Sequence, residues 1–264
     1  MTKATWSGYL ALGQVGLPVR LYNGTRSTGP HFVTLHEKDN SPVERTLRCK
    51  AEQRDITADD TVRAIEYEAG RYITLTDSEL ERTATHPVKT IMITQFCDMT
   101  SVNAIAFDKP YYIVAAPGGE HAYALLRDVL VRTKKAAVAS YYLYRRERIG
   151  LIGVHNDLLM LFQLRFAADI TPRSDLPTPP LPKPSPQEID ALSDIVERYS
   201  SPFYIEDYHD EYADKIHGIV DRKVRGLKPP RQPHQPDTPT TDEHDLLEAL
   251  QKTLRAPGLS AGDQ

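Results

Sequence analysis

Cysteine is nearly absent: Cys49 and Cys97 are the only two in 264 residues. They lie far apart and neither belongs to a C-x-x-C pair, so the sequence shows no disulfide framework and no zinc site. No run of 18 apolar residues occurs, and nothing in the pattern spans a membrane. The opening Met1-Thr2-Lys3-Ala4-Thr5-Trp6 has no apolar stretch before a small-residue cleavage site, which argues against secretion and sets a cytoplasmic expectation. Catalytic signatures are lacking too. The nine histidines are scattered, no Ser/His/Asp, H-E-x-x-H or P-loop pattern appears, and Gly118-Gly119 lacks the flanks of a phosphate-binding loop. One cluster, His31, His36 and Asp39, keeps open a β-barrel hydrolase or metal-dependent enzyme, since His36 and Asp39 can meet around a turn. The competing assignment for His36 is a hydrogen-bonded structural residue. The reading favours no enzyme and no cofactor.

What is present is concentrated charge. The net charge is −4, but residues 125–150 alone carry +5, from Arg127, Arg132, Lys134, Lys135, Arg145, Arg146 and Arg148 against Asp128 and Glu147. Residues 1–124 carry −2 and residues 151–264 carry −7. An anionic polymer needs a positive surface where contact occurs, not a positive total. The plainer reading of Arg145-Arg146-Glu147-Arg148 is a solvated strand end.

With 40% hydrophobic residues the chain can bury a sizeable core, in one or two domains. Trp6 to Tyr22 alternates apolar residues around Gly13 and Gly16, a β-hairpin, with Pro18 at an edge or strand entry because it cannot donate to a ladder. Short strands are expected at His31–His36, at Thr46–Lys50, and on either side of Ala69-Gly70. A helix follows, with Thr76 as N-cap and Glu79 completing a capping box. Strand signals return at Thr90–Phe96, Ala104–Phe107 and Tyr111–Ala115. After Pro117-Gly118-Gly119, the spacing of Ala122, Leu125, Leu126, Val129 and Leu130 is helical, and Ala136 to Tyr144 reads as a strand. The class is mixed and mainly β, a barrel or sandwich. Thr171 to Pro186 holds seven prolines, a semi-rigid connector. Two amphipathic helices are expected beyond it, over Ser185–Tyr199 and Tyr208–Val224. Either they reach over a partner copy or they fold back on their own barrel. After a proline-rich stretch, Thr240-x-x-Glu243 precedes Leu246, Leu247, Leu250 and Leu254, a short amphipathic helix over about 241–254. It reads as a docking peptide or as a frayed tail.

Four blocks in order then resemble the bacterial Ku family: Trp6-x-Gly8-x-Leu10-x-x-Gly13-x-Val15-x-Leu17-Pro18-Val19-x-Leu21-Tyr22; Leu35-His36-x-x-Asp39; Glu66-Tyr67-Glu68-x-Gly70-x-Tyr72-x-x-Leu75-Thr76-Asp77-x-Glu79-Leu80; and Tyr111-Tyr112-x-x-x-x-Pro117 with Ala122-Tyr123-x-Leu125-Leu126. The resemblance runs from Trp6 to about Gly226. It implies non-catalytic, sequence-independent binding of DNA double-strand ends by a homodimeric ring, with the DNA ligase of bacterial end joining as a partner. It also implies a Ku-type β-barrel core over 1–170, a strand-built DNA-encircling bridge over about 25–72, a connector over 171–186, a helical C-terminal arm over 187–227 and a flexible tail over 228–264. Expected DNA contacts are Arg20, Arg26, Arg45, Arg48, Lys50, Lys134, Lys135, Arg145, Arg146 and Arg148. Expected dimer contacts are Leu192, Ile195, Tyr212, Ile216 and Ile219, and expected ligase contacts are Leu246, Leu247, Leu250 and Leu254. Two departures stand out. Arg63-Ala64-Ile65-Glu66 replaces the family's usual Lys-Gly-Tyr-Glu, and the C-terminal extension is proline-rich and acidic where relatives are often lysine-rich.

Overall fold

A computed structural model describes residues 3–82, 89–144, 146–228 and 246–255. The chain divides into two compact units, residues 1–27 with 34–176, and residues 28–33 with 177–264.

The first unit is built on a closed barrel of seven strands. In chain order its strands are β1 (Trp6–Leu12), β2 (Val15–Asn23), β7 (Thr90–Asp98), β8 (Phe107–Ala115), β9 (Lys135–Leu143), β10 (Arg146–His155) and β11 (Leu158–Leu164). Around the barrel they run β1-β2-β8-β11-β10-β9-β7, and β7 closes it against β1 in parallel. Period-two alternation sends Leu10, Leu17, Val19, Leu21, Ile91, Ile113, Ile152, Leu159 and Leu161 inward, each buried in one continuous core. Two-residue turns join the hairpins. Leu12 pairs with Val15 around Gly13, whose φ is +58°, and His155 pairs with Leu158 around Asn156 and Asp157, both at positive φ.

Helix α2 (Glu120–Thr133) seats on this barrel through Tyr123. Its buried hydroxyl donates to the carbonyl of Ile113 on β8 and accepts from the amide of Leu159 on β11, each at 2.8 Å. These two residues are register partners, so the phenol completes the ladder between two strands. Gly119, just before the helix, lies so close to β2 that a Cβ there would sit 2.7 Å from the Pro18 carbonyl oxygen. Gly119 therefore packs the helix end against β2, while Gly118 turns the chain at φ +86°.

Between β2 and β7 the chain forms small local units: β3 (Leu47–Arg48) with β4 (Asp55–Ile56), the ribbon β5 (Arg63–Glu68) with β6 (Arg71–Leu75), and the short helix α1 (Asp77–Arg82). Ala69-Gly70 turns the ribbon, with Gly70 at φ +76°. The capping box forms: the Thr76 amide donates to Glu79 Oε2 at 2.8 Å, and the Glu79 amide to Thr76 Oγ1 at 3.3 Å. The second unit contains α3 (Pro186–Tyr199), α4 (Glu211–Val224) and α5 (Leu246–Arg255). Ser185 and Glu188 form a further capping box on α3.

Pro18 stands, as expected, where one side of its strand is unpaired: it pairs with Tyr9 of β1, and the β8 pairing begins only at Val19. Several expectations are corrected. Residues 31–36 form no strand, only an isolated bridge between Leu35 and Pro42. Ala104–Ala106 is a 3-10 turn, closed by the Asn103 side chain accepting from the Ile105 amide at 3.1 Å, and the strand begins only at Phe107. The second arm helix begins at Glu211 rather than Tyr208, because Asp210 caps it by accepting from the Ala213 amide at 2.9 Å. The Thr240/Glu243 capping box lies outside the described residues.

Burial drives the phenols of Tyr123, Tyr141 and Tyr111 toward higher pKa, and for Tyr141 the field of Tyr111 adds to burial. A folded pKa above the ordinary 10.0 means that the neutral phenol contributes stability fully present below pH 10 and lost as pH rises beyond it. Alkaline difference spectroscopy should therefore show these tyrosines ionising after the exposed ones, together with unfolding. Tyr123→Phe should lower urea stability by about 1–3 kcal/mol, since it leaves the Ile113 carbonyl and Leu159 amide unpaired in the core. An unchanged urea midpoint would show that the phenol bridge is not part of barrel closure.

Candidate nucleic-acid interface

The expected basic residues do not form one patch. Lys134 is the left-handed cap of α2 and Lys135 opens β9, whereas Arg146 and Arg148 stand on β10 beside Leu143 and Tyr141 at the far end of β9. Strand rise places the two groups roughly 20–26 Å apart. Their state differs as well. Lys135 Nζ sits 2.7 Å from Asp98 Oδ1, so its charge is already partnered. Arg148 shares the inward face of β10 with Ile152, opposite Tyr141 in register, and its Nε is buried without a hydrogen-bond partner among the described residues. It serves the barrel mouth more than open solvent. Arg146 is exposed, while Arg145 lies outside the described residues.

Arg20 points outward from β2, between Ser7 and Val114 in register. Arg26, Arg45 and Lys50 are exposed, and with Arg20, Lys134 and Arg146 they have no carboxylate partner among the described residues. Arg48 is held by its own turn, its Nε donating to the Gln53 carbonyl at 2.9 Å.

The segment from Thr34 to Thr76 contains no buried residue; only Cys49, Ile56 and Leu75 are half-buried. Its order comes from local hydrogen bonds, many made by acids. Asp39 Oδ1 accepts from the Ser41 amide at 3.0 Å and hydroxyl at 2.8 Å and pairs with His36 Nδ1 at 3.0 Å. Asp60 accepts from the Thr57 amide and hydroxyl, and Glu66 from the Gly70 amide at 2.7 Å. Glu68 pairs with Arg71, whose guanidinium also stacks 5.2 Å from the Tyr67 ring centroid. Acids outnumber bases here, nine to seven. Asp39, Glu52, Asp60, Glu66 and Glu68 are engaged on the segment's own amides, hydroxyls and side chains, while Glu37, Glu44, Asp55 and Asp59, like Lys38, Arg45 and Lys50, have no partner among the described residues.

Arg63 and Tyr144 were not among the expected site residues. Arg63 of the ribbon and Arg146 of β10 line one cavity of about 430 Å³ with Ile65, Leu75 and Tyr144. Tyr144, in the two-residue turn between β9 and β10, is exposed and left-handed at φ +52°. The hairpin between Leu143 and Arg146 asks for positive φ there, a conformation that costs a tyrosine more than it costs Asn156 in the next turn. Arg63 was visible as a retained positive charge; the Tyr144 conformation had no sequence signal.

Among the enzyme candidates, His36 and Asp39 do meet, but both side chains are more than half exposed, at 55% and 60%. Asp39 closes the turn to Ser41, the work of a structural residue. Among the described residues no group of three or more His, Cys, Asp or Glu could hold a metal ion.

In the second unit the expected contacts fall into two sets. Leu192 and Tyr212 are at least half exposed, whereas Ile195, Ile216 and Ile219 are half-buried, with Ala213 fully so. Leu246 is exposed; Leu247, Leu250 and Leu254 are half-buried, and α5 packs against α3.

Asp39, Asp60 and Glu79 are all held below their ordinary carboxylate values, by hydrogen bonds from Ser41, Thr57 and Thr76 respectively. A depressed folded pKa contributes stability present above the ordinary values of 3.8 and 4.5 and lost as pH falls through the folded value. Carboxyl-detected NMR should find these three titrating last on acidification, with faster amide exchange at Ser41, Thr57 and Thr76 as they protonate. Titration at ordinary positions would show that the segment is ordered by something else.

Residues 11–191 match the family model described as the Ku70/Ku80 β-barrel domain. The chain is 30% identical over 261 residues to the non-homologous end joining protein Ku of Solibacter usitatus, covering 97% of this chain and 94% of that one. It is 30% identical over 250 residues to the non-homologous end joining protein Ku 1 of Geotalea uraniireducens, covering 95% of each. Against the non-homologous end joining protein Ku of Pseudomonas aeruginosa it is 31% identical over 263 residues, covering 97% and 89%.

Proposed function

The chain belongs to the Ku family, and from that premise we propose that it binds DNA double-strand ends in non-homologous end joining, without catalysis and without reading sequence, as a homodimer that encircles the duplex. The observation that carries this reading is the coreless segment from Thr34 to Thr76. A two-stranded ribbon with every residue outside a core is marginal in water, and a segment of this kind gains purpose by lying over a partner. Five of its nine acids are tied to its own amides and arginines, and Arg45 and Lys50 are exposed, without a carboxylate partner among the described residues. This suits the bridge over about 25–72, with a core over 1–170, a connector over 171–186, an arm over 187–227 and a tail over 228–264. Among the described residues no helix is arranged beside these cations to read bases, so contact is with the DNA backbone.

The arm helices supply the homodimer contact and the leucine face of α5 recruits the ligase, in the manner of an amphipathic helix in a groove. Such a protein works where the DNA is, in the cytoplasm.

Linear duplex should shift in a native gel where covalently closed circles do not, and log affinity should fall with log salt with a slope of about −0.9 per neutralised phosphate. Arg45→Glu, Lys50→Glu and Arg146→Glu together should weaken every sequence alike. Equal binding of closed and linear DNA, or a loss confined to some sequences, would remove end recognition or the backbone-only mode. A compact monomer in sedimentation at micromolar concentration would remove the ring.

Leu250→Glu should abolish stimulation of the cognate ligase on linear DNA and leave end binding intact. Full stimulation by the variant would show that α5 does not recruit.

A further inference from the structure

Helix α5 has ten residues, and an isolated helix of that length is marginal in water. Its support is α3. The half-buried positions of α3, Glu188, Ala191, Ile195 and Tyr199, follow at intervals of three and four, and Leu247, Leu250 and Leu254 repeat that spacing on α5. Where the two C-terminal ends meet, the Arg198 guanidinium donates to the Leu254 carbonyl. That oxygen is one of the acceptors a helix end leaves open, and a cation beside it also meets the negative end of the helix dipole.

From this geometry we propose that α3 carries the receptor face for the leucine stripe of α5, and that the chain stores its own tail helix there. Leu250 and Ile195 then hide one another until a partner replaces one of them. The proposal rests on the reading of α5 as a recruiting peptide and deepens it: recruitment requires α5 to leave α3, and any contact between copies through Ile195 requires the same departure. The adjacent stripe of α3 behaves differently. Ile189, Leu192 and Val196 stay about half exposed beside a hollow of about 430 Å³, so α3 can hold α5 and still offer a second apolar face. The expected arm contacts are thereby divided. Leu192 is available with the tail seated; Ile195 is available only with the tail released.

The test uses the full chain without ligase or DNA. Hydrogen exchange should show the α5 amides protected in the wild type and unprotected in Ile195→Asp and in Arg198→Ala. A labelled peptide spanning Leu246 to Arg255 should bind full-length Leu250→Glu, whose own tail cannot seat, about tenfold more tightly than it binds the wild type. Equal affinity for both proteins, binding to neither, or α5 amides exchanging in the wild type at the rate of an open chain would each overturn the proposal. Because none of these readouts involves the ligase, a recruitment failure would be seen separately: α5 would dock on α3 as described while Leu250→Glu left ligation unchanged.

Discussion

Barrel closure depends on a short parallel pairing in which Tyr9, Leu10 and Ala11 of β1 meet Thr90, Ile91 and Met92 of β7. The other six barrel pairs are antiparallel, and three of them are joined by two-residue turns. Parallel neighbours that follow one another in sequence need a long crossover, but here β2 intervenes. Its antiparallel course returns the chain to the end of the barrel where β1 begins, and β7 begins at that same end, one strand further round. Topology therefore asks only for a short span across β1, and the coreless segment between β2 and β7 is far longer than closure requires.

The hydroxyl of Tyr123 has a comparable role inside the barrel. The Ile113 carbonyl and Leu159 amide would each cost about 1–3 kcal/mol if buried unpaired. The phenol joins them and anchors α2, so the central helix is bonded to the barrel as well as packed on it. Tyr141 is the counterpoint, with its hydroxyl buried and unpartnered among the described residues beside the inward-facing Arg148.

Elements marked by alternation, a turn glycine, a cap or a β-branched and aromatic run were legible in the sequence, and those without such marks were not. The first hairpin, the ribbon around Ala69-Gly70, the capping box at Thr76 and the central helix all carry alternation, a positive-φ glycine or a cap. Strands β10 and β11 carry none of these cues. Leu151 belongs to a second cluster outside the barrel core while Ile152 belongs to the first, and Leu159, Met160 and Leu161 are buried in succession, so both faces are apolar and the period disappears. The turn at Ala104–Ala106 read as strand because its side chains are apolar, though the Asn103 cap decides the backbone. The basic run carries no mark of its spatial division either: β9 separates Lys134 and Lys135 from Arg146 and Arg148, although they are close in sequence.

The same limit applies to the tail, where a stripe of leucines showed that α5 has an apolar face but not what covers it. Two amphipathic helices in one chain are each other's nearest candidates, because a tethered partner meets its groove at a high effective concentration while a separate protein must arrive by diffusion. An external partner therefore has to exceed the tethered contact. Arg198 adds a directional hydrogen bond to that contact, and Ile195 adds apolar area whose burial is non-directional and easily shared by another leucine face. Every helix ends in open carbonyls, so a competitor gains from Arg198 only if it seats in the direction of α5. On this argument the leucines supply most of the contact, and the arginine sets the direction in which a helix seats.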